Sequence, residues 1–368
     1  MMRKRIALLL AAVMLTGLLA ACGSPTAQES ESAAPAETEA VAEETAQPAT
    51  QTVVDAAGRE VTLPAQVETV ATYGGCAVLV TIVETLGCAD RLCNRMAPSF
   101  YVSDTYAMHE KFAPEMLSKP YLENAAGEIL IEEVLRINPD LNLTLQTQCL
   151  NTLEDNDIPV VFIDWANGEE LKENVRLIAD ILDVEERGEA YCDYFDETVA
   201  KAEQIVAQIP ESERKTVLFA DVTNRYINWA ISEWWIEEGG GISVSKEMHT
   251  GERLDFTTED LLAWDPDVIF TTSDQKEEIM ADSQLAGITA VQNGEIYRTP
   301  CVGHQWGVRT TEQQLVILWT INKLYPEYYS YDELAEDIHY FYETFMNYDM
   351  PDNEIEQVIN NGIIARDW

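Results

Sequence analysis

The chain has 368 residues, and its 65 Asp and Glu against 23 Lys and Arg give a formal charge of -42. A surface this acidic argues against nucleic acid and anionic lipid as partners, and it disfavours a strongly anionic ligand unless the site is locally basic. The length is more than one lobe normally needs.

The N-terminus reads as an export signal. Arg3, Lys4 and Arg5 form a positive start, Ile6 to Leu19 is an almost unbroken apolar run, and Leu19-Ala20-Ala21-Cys22 ends it on small residues and a cysteine. The run is too short, and its end too rich in small residues, for a transmembrane helix. The ending resembles the bacterial lipobox, in which the cysteine is diacylated and becomes the first mature residue. Residues 1–21 are then a lipoprotein signal peptide, and Cys22 is a membrane anchor, since two acyl chains hold where one alone is marginal. Residues 22–50 are dominated by Ser, Ala, Glu, Thr, Gln and Pro. They cannot bury enough apolar surface to offset ordering entropy, so they read as a tether.

From Gln51 onward, short β-rich runs alternate with amphipathic helical stretches, which predicts an α/β fold of two lobes with mostly parallel central sheets. Strands are expected at Val67–Thr72, Arg91–Asn94, Leu141–Leu145 and Val160–Ile163 in an N-terminal lobe over 51–186. Further strands are expected at Thr216–Ala220, Val268–Thr272 and Ile296–Arg298 in a C-terminal lobe over 211–368. Between them, residues 187–210 form a single long helix. Glu189 to Ile209 lacks Gly and Pro, apolar residues recur from Tyr191 to Ile209 at helical spacing, and Pro210 closes it. Such a helix spans roughly 30 Å.

Each half carries the same local unit. Ile131 to Asp140 precedes Leu-Asn-Leu-Thr-Leu, and Thr258 to Asp267 precedes Val-Ile-Phe-Thr-Thr. Both read as a short helix, a Pro-Asp turn and a strand, with a Glu seven residues before the Pro. Seven cysteines include Cys22; the other six permit disulfides in an exported chain but spacing does not choose a pairing. The four His do not cluster, so neither a bare metal ion nor a cofactor is expected. The chain lacks G-x-S-x-G, H-E-x-x-H, phosphate-loop and dinucleotide motifs, and Gly239-Gly240-Gly241 has no following Lys, so no enzyme is expected.

Three further features carry a family resemblance. Val53 to Pro64 matches an opening "D-x-x-G-R-x-V-x-L-P" hairpin, the two Pro-Asp units match "E-x-L-L-x-x-x-P-D-L-V", and Leu324-Tyr325-Pro326-Glu327 matches "L-Y-P-E". In this order they resemble the helical-backbone (class III) periplasmic binding proteins that serve ABC importers of ferric siderophores, haem and cobalamin. The resemblance implies a small-molecule metal chelate held between two lobes, with delivery to a permease and its ATPase. An oxyanion such as molybdate or tungstate is the alternative ligand, and a surface receptor that transports nothing is the alternative role. It further implies that Glu132 and Glu259 dock onto permease arginines, where a carboxylate at a helix start is favoured by the dipole.

Ligand contacts are expected where loops leave the carboxyl ends of strands. Those positions nominate Tyr73 and Trp165 in the first lobe and Arg225, Tyr226, His304, Trp306 and Arg309 in the second. Thr310-Thr311-Glu312-Gln313 reads as a capping box for the helix that follows.

Overall fold

A hairpin of β1 (Thr50–Val54) and β2 (Glu60–Pro64) opens the part of the chain that the computed structural model describes, residues 49–74, 77–102 and 104–366. The export signal, Cys22 and nearly all of the tether expected over 22–50 lie outside those residues. Asp55 shapes the hairpin: its buried carboxylate accepts from the backbone N–H of Ala57 and Arg59, both at 3.0 Å, and pairs with the Arg59 guanidinium. Gly58 supplies the positive φ of +74° that closes the turn. The same carboxylate accepts from Phe162 N–H at 3.0 Å, so the hairpin is tied to the first sheet.

That sheet is parallel, in the order β3 (Val70–Tyr73), β4 (Leu141–Thr144) and β5 (Val161–Phe162). Leu92 bridges in parallel to Val70 on its other side; the strand expected over Arg91–Asn94 is reduced to this contact. Five helices belong to this half: α1 (Val78–Thr85), α2 (His109–Phe112), α3 (Ile131–Ile137), α4 (Thr147–Glu154) and α5 (Gly168–Ile181). Every residue of α1 is buried, including Glu84, which faces His109 of α2.

The long helix is α6 (Glu185–Val206), 22 residues and about 33 Å. It ends at Val206 with Ala207 as its C-cap, short of the expected Pro210, because residues 207–209 tighten into a turn. It packs on α5 on one side and on helices of the second half on the other. From α6, the Arg187 guanidinium donates to Thr85 O at 2.9 Å and to Phe345 O at 3.0 Å.

The second half holds β6 (Thr216–Phe219), a two-residue ribbon of β7 (Tyr226–Ile227) with β9 (Leu254–Asp255), β8 (Ile242–Ser243), β10 (Val268–Thr271) and β11 (Ile296–Arg298). Its main sheet is parallel in the order β11-β10-β6-β8. The helices are α7 (Ser232–Glu238), α8 (Thr258–Trp264), α9 (Lys276–Ala281), α10 (Thr289–Asn293), α11 (Gln313–Leu324), α12 (Tyr331–Met346) and α13 (Asp352–Asn361). The architecture is the expected one of two parallel sheets with a single long helix between them. The largest apolar cluster runs from Val53 to Ile364 through α6 and α11, so both halves contribute to one continuous core.

The repeated unit is real at atomic detail. α3 and α8 each have seven residues and end on a left-handed residue, Asn138 (φ 52°) and Asp265 (φ 39°). After the proline, Asp140 accepts from Thr69 N at 2.9 Å and Thr69 Oγ1 at 2.8 Å, while Asp267 accepts from Thr216 N and Oγ1, both at 2.8 Å. Each aspartate thereby fixes the register of the next parallel strand pair. The described cysteines Cys88, Cys93, Cys149, Cys192 and Cys301 are buried free thiols, so Cys88 and Cys93 are not bridged.

Candidate functional site

The carboxyl ends of both parallel sheets carry the loops that form the candidate site. In the first half the chain leaves β3 through Gly74, whose φ of +104° needs glycine. Gly74 N–H donates to Glu123 Oε1 at 3.0 Å, and its carbonyl accepts from the Gln146 side chain at the end of β4. A side chain at 74 would meet Gln146 at 3.0 Å, so this buried turn is closed by backbone against the Glu123 and Gln146 side chains.

Beside this loop, the Arg95 guanidinium lies in the corner formed by the rings of Tyr101 and Tyr121, which stand edge to face with centroids 6.4 Å apart, and is 4.6 Å from each centroid. All three side chains are half-buried. Burial raises the Tyr101 hydroxyl pKa, and Arg95 works against that shift. A cation held against two aromatic rings keeps its charge while losing part of its water, which suits it to an anion. Arg95 and Tyr121 were not nominated from sequence. The strand expected over Arg91–Asn94 ends just before Arg95, but its ring partner Tyr121 lies far along the chain with no local pattern to link the two.

Tyr73 lies elsewhere. Its side chain points into the core, 1% exposed, and its hydroxyl donates to Asn142 Oδ1 at 2.8 Å. Alternation along β3 puts it on the face that packs with Leu122, Val134, Cys149 and Leu153.

In the second half, Arg225 has φ of +61° and turns back on its own loop, donating to Val222 O and lying 3.4 Å from Asp282. Tyr226 lies under the Arg253 guanidinium at 4.2 Å. These two residues form the β7–β9 ribbon corner together.

The loop after β11 crosses to the first half. His109 of α2 donates through Nε2 to Gly303 O at 2.7 Å, and its Nδ1 faces Glu84 Oε1 of α1 at 2.8 Å. The His304 ring stacks on Tyr106 with centroids 5.7 Å apart. Burial, with His109 nearby, holds the His304 imidazole down to about 3, so it is neutral at physiological pH. Trp306 is fully buried in the shared core.

Glu312 is the organiser of this loop rather than part of a capping box. Its carboxylate accepts from Gly303 N at 2.9 Å, His304 N at 2.7 Å and Thr310 Oγ1 at 3.0 Å, and also from the Tyr342 hydroxyl. α11 starts one residue later without a side-chain cap. The expected box fails because the helix starts at Gln313 with Glu312 as its N-cap, which leaves Thr310 two residues too early to cap it.

Trp165 and Arg309 do come together. Arg309 Nε donates to Trp165 O at 2.5 Å, and the guanidinium reaches Asp164 at 3.3 Å and Glu252 at 2.7 Å. They border a cavity of about 530 Å³ that Asp55, Glu170 and Glu173 also line. Carboxylates outnumber the single cation there, so this cavity is unsuited to an anion. The Trp165 ring is itself buried. Glu132 and Glu259 are exposed in the first turns of α3 and α8, at equivalent places. Among the described residues, no three His, Cys, Asp or Glu side chains converge as a metal site.

Two parallel α/β sheets joined by one long helix, with crossing loops at their strand ends, define a class III solute-binding fold. The chain belongs to the periplasmic binding protein family, whose sequence model matches residues 96–301. No curated protein matches it by sequence. Among solved structures it is similar to a periplasmic solute-binding protein from Veillonella parvula, at 22% identity and TM-score 0.71, covering 85% of this chain and 97% of that one. The molybdate-bound periplasmic protein MolA of a Haemophilus influenzae ABC transporter is similar at 18% identity and TM-score 0.69, covering 82% and 99%. CeuE from Helicobacter pylori in its Ni-His complex is similar at 17% identity and TM-score 0.67, covering 84% and 98%.

Proposed function

We propose that this chain is the exported solute-binding lipoprotein of an ABC importer, anchored at the outer face of the cell membrane through Cys22 and the 22–50 tether. It captures a metal chelate between its two lobes, with a ferric siderophore as the first candidate and haem or cobalamin as others, and delivers it to a permease and its ATPase. The observation that supports the ligand class is Arg95 in the corner of the Tyr101 and Tyr121 rings. On a chain of charge -42, this is the locally basic, aromatic patch that an anionic chelate with flat apolar faces requires. The chelator satisfies the metal, so the protein need supply no ligand to it. Glu132 and Glu259 are the carboxylates that dock onto the permease.

A second reading is supported by the fold shared with a molybdate-bound protein: a small oxyanion held by backbone N–H groups and a guanidinium. Thermal unfolding with ferric siderophores, haem, cobalamin and molybdate separates the two. A ligand at a hundred times its dissociation constant adds about 2.7 kcal/mol of stability. The proposal expects a shift with a chelate and a loss of affinity of about tenfold or more in Arg95→Ala, as for a desolvated cation–ring site. A shift with molybdate alone favours the second reading, and no shift with any of the four refutes the ligand class.

A further inference from the structure

The two copies of the repeated unit share one more feature. Leu135 on α3 and Leu262 on α8 are among the exposed large apolar side chains, at 56% and 42% exposure. They lie 127 positions apart (262 minus 135), the same separation as Glu132 and Glu259. Each Leu follows its Glu by three residues, so the pair shares one helix face. The apolar neighbour one position earlier, Val134 or Leu261, is buried, so the exposed Leu is surplus to what holds each helix to its sheet.

The remaining charges on these faces are already engaged. Glu133 pairs with Arg136 at 2.5 Å, and Asp260 accepts from Thr257 N at 2.8 Å and Thr257 Oγ1 at 2.7 Å. Glu132 and Glu259 make no ion pair among the described residues. Each lobe thus presents a carboxylate engaged in no ion pair beside a Leu that is about half exposed. Two equivalent knobs on one chain fit a partner with two equivalent surfaces, each offering a cation next to an apolar cup. A two-fold permease is such a partner.

We infer that Leu135 and Leu262 are the apolar anchors of the permease-docking face, one beside each docking glutamate. The inference rests on the importer reading above. Exposed charges at an interface rim chiefly steer association and are screened by salt, whereas an apolar side chain that enters a pocket slows dissociation. The glutamates therefore bring the lobes to the permease, and the leucines hold them there.

The test uses the full lipid-free chain and the ABC permease–ATPase complex of the bacterium that makes it, reconstituted in nanodiscs. Binding is measured across a series of salt concentrations, together with stimulated ATP hydrolysis. The expected result is that Leu135→Ser with Leu262→Ser weakens binding by about a hundredfold, roughly tenfold per Leu, from the apolar surface left in water. The loss comes through faster dissociation with the salt slope unchanged. Glu132→Gln with Glu259→Gln instead flattens the salt slope. Tyr340→Ser, at an exposed aromatic outside the repeated unit, leaves binding as it was. Leu135→Gln with Leu262→Gln repeats the loss with most of the side-chain stem retained, and an unaltered melting temperature certifies folding. Wild-type binding to the permease with undiminished binding of both Leu double variants overturns this inference alone. A wild-type chain that neither binds nor stimulates the complex overturns the importer reading, and the inference falls with it.

Discussion

Glu233 and His249 show how much a single residue pair contributes to the second half. The Glu233 carboxylate accepts from Ser245 Oγ at 2.8 Å and from Ser243 Oγ, and it lies 2.8 Å from His249 Nδ1. Burial raises the Glu233 pKa, but the donors from His249, Ser243 and Ser245 outweigh it and leave it below the usual carboxylate range. Burial lowers the His249 imidazole, and Glu233 more than reverses this, so its pKa is raised. A raised imidazole stabilises the fold fully below its unfolded pKa and loses that contribution as pH rises through the folded value. The lowered carboxylate stabilises above its unfolded pKa and loses it as pH falls through the folded value. The pair is therefore fully effective between about pH 4.3 and 6.5, the unfolded carboxylate and imidazole values. Urea unfolding of His249→Asn should show a deficit of about 3 kcal/mol in that window, as for a broken buried pair. The deficit should shrink on both sides; a deficit independent of pH would refute the coupling. Such pairs are not legible in sequence. Glu233 and His249 are 16 apart, and Glu84, His109 and Gly303 span 25 and 194 positions, with no periodicity to link them.

At the scale of elements, legibility follows length and local rule. The Pro-Asp units were readable because each is a helix stop and an aspartate acting over a few residues, and both fold as expected. The opening Asp-x-x-Gly-Arg was readable for the same reason. The ribbon strands β7 and β9 and the edge strand β8 have two residues each, too few for alternation to register. The Arg95 site was missed for another reason: a strand was expected just before it, but Tyr121 lies far along the chain and no local pattern links the two. Tyr73 and Trp306 were nominated by position on a strand end, but which face a side chain takes depends on register and core packing. α6 combines both cases: its existence was readable and its fit was not. A Cβ on Gly188 would come within 2.5 Å of the Ala179 Cβ on α5, so this glycine lets the two helices approach. Gly188→Val should destabilise by about 2 kcal/mol through overpacking, measured by denaturant unfolding. An unchanged midpoint would mean that α5 and α6 are not held this closely.

At the scale of the whole molecule, the two halves are less independent than the sequence suggests. One apolar core runs through both, and side chains from each half tie to the other at the site. His109 reaches Gly303, Arg309 reaches Trp165, and Arg366 pairs with Glu110. A shared core and a bridging helix limit the opening between lobes to small motions, so capture in this account relies on a largely formed crevice rather than on wide hinge closure. Under the proposed reading, the charge of -42 disfavours an anion except beside a cation such as Arg95.

The central claim, that one ligand is held by the strand-end loops of both sheets at once, is tested most directly by hydrogen–deuterium exchange. The chain is compared with and without the chelate that gives the largest thermal shift. The account predicts simultaneous added protection in residues 95–101, 121–123 and 146–148 of the first half and 221–226 and 303–309 of the second. Exchange in α3 and α8 should be unaffected, leaving the docking faces free. Protection confined to one half, or to the carboxylate-lined cavity beside Arg309, would contradict it.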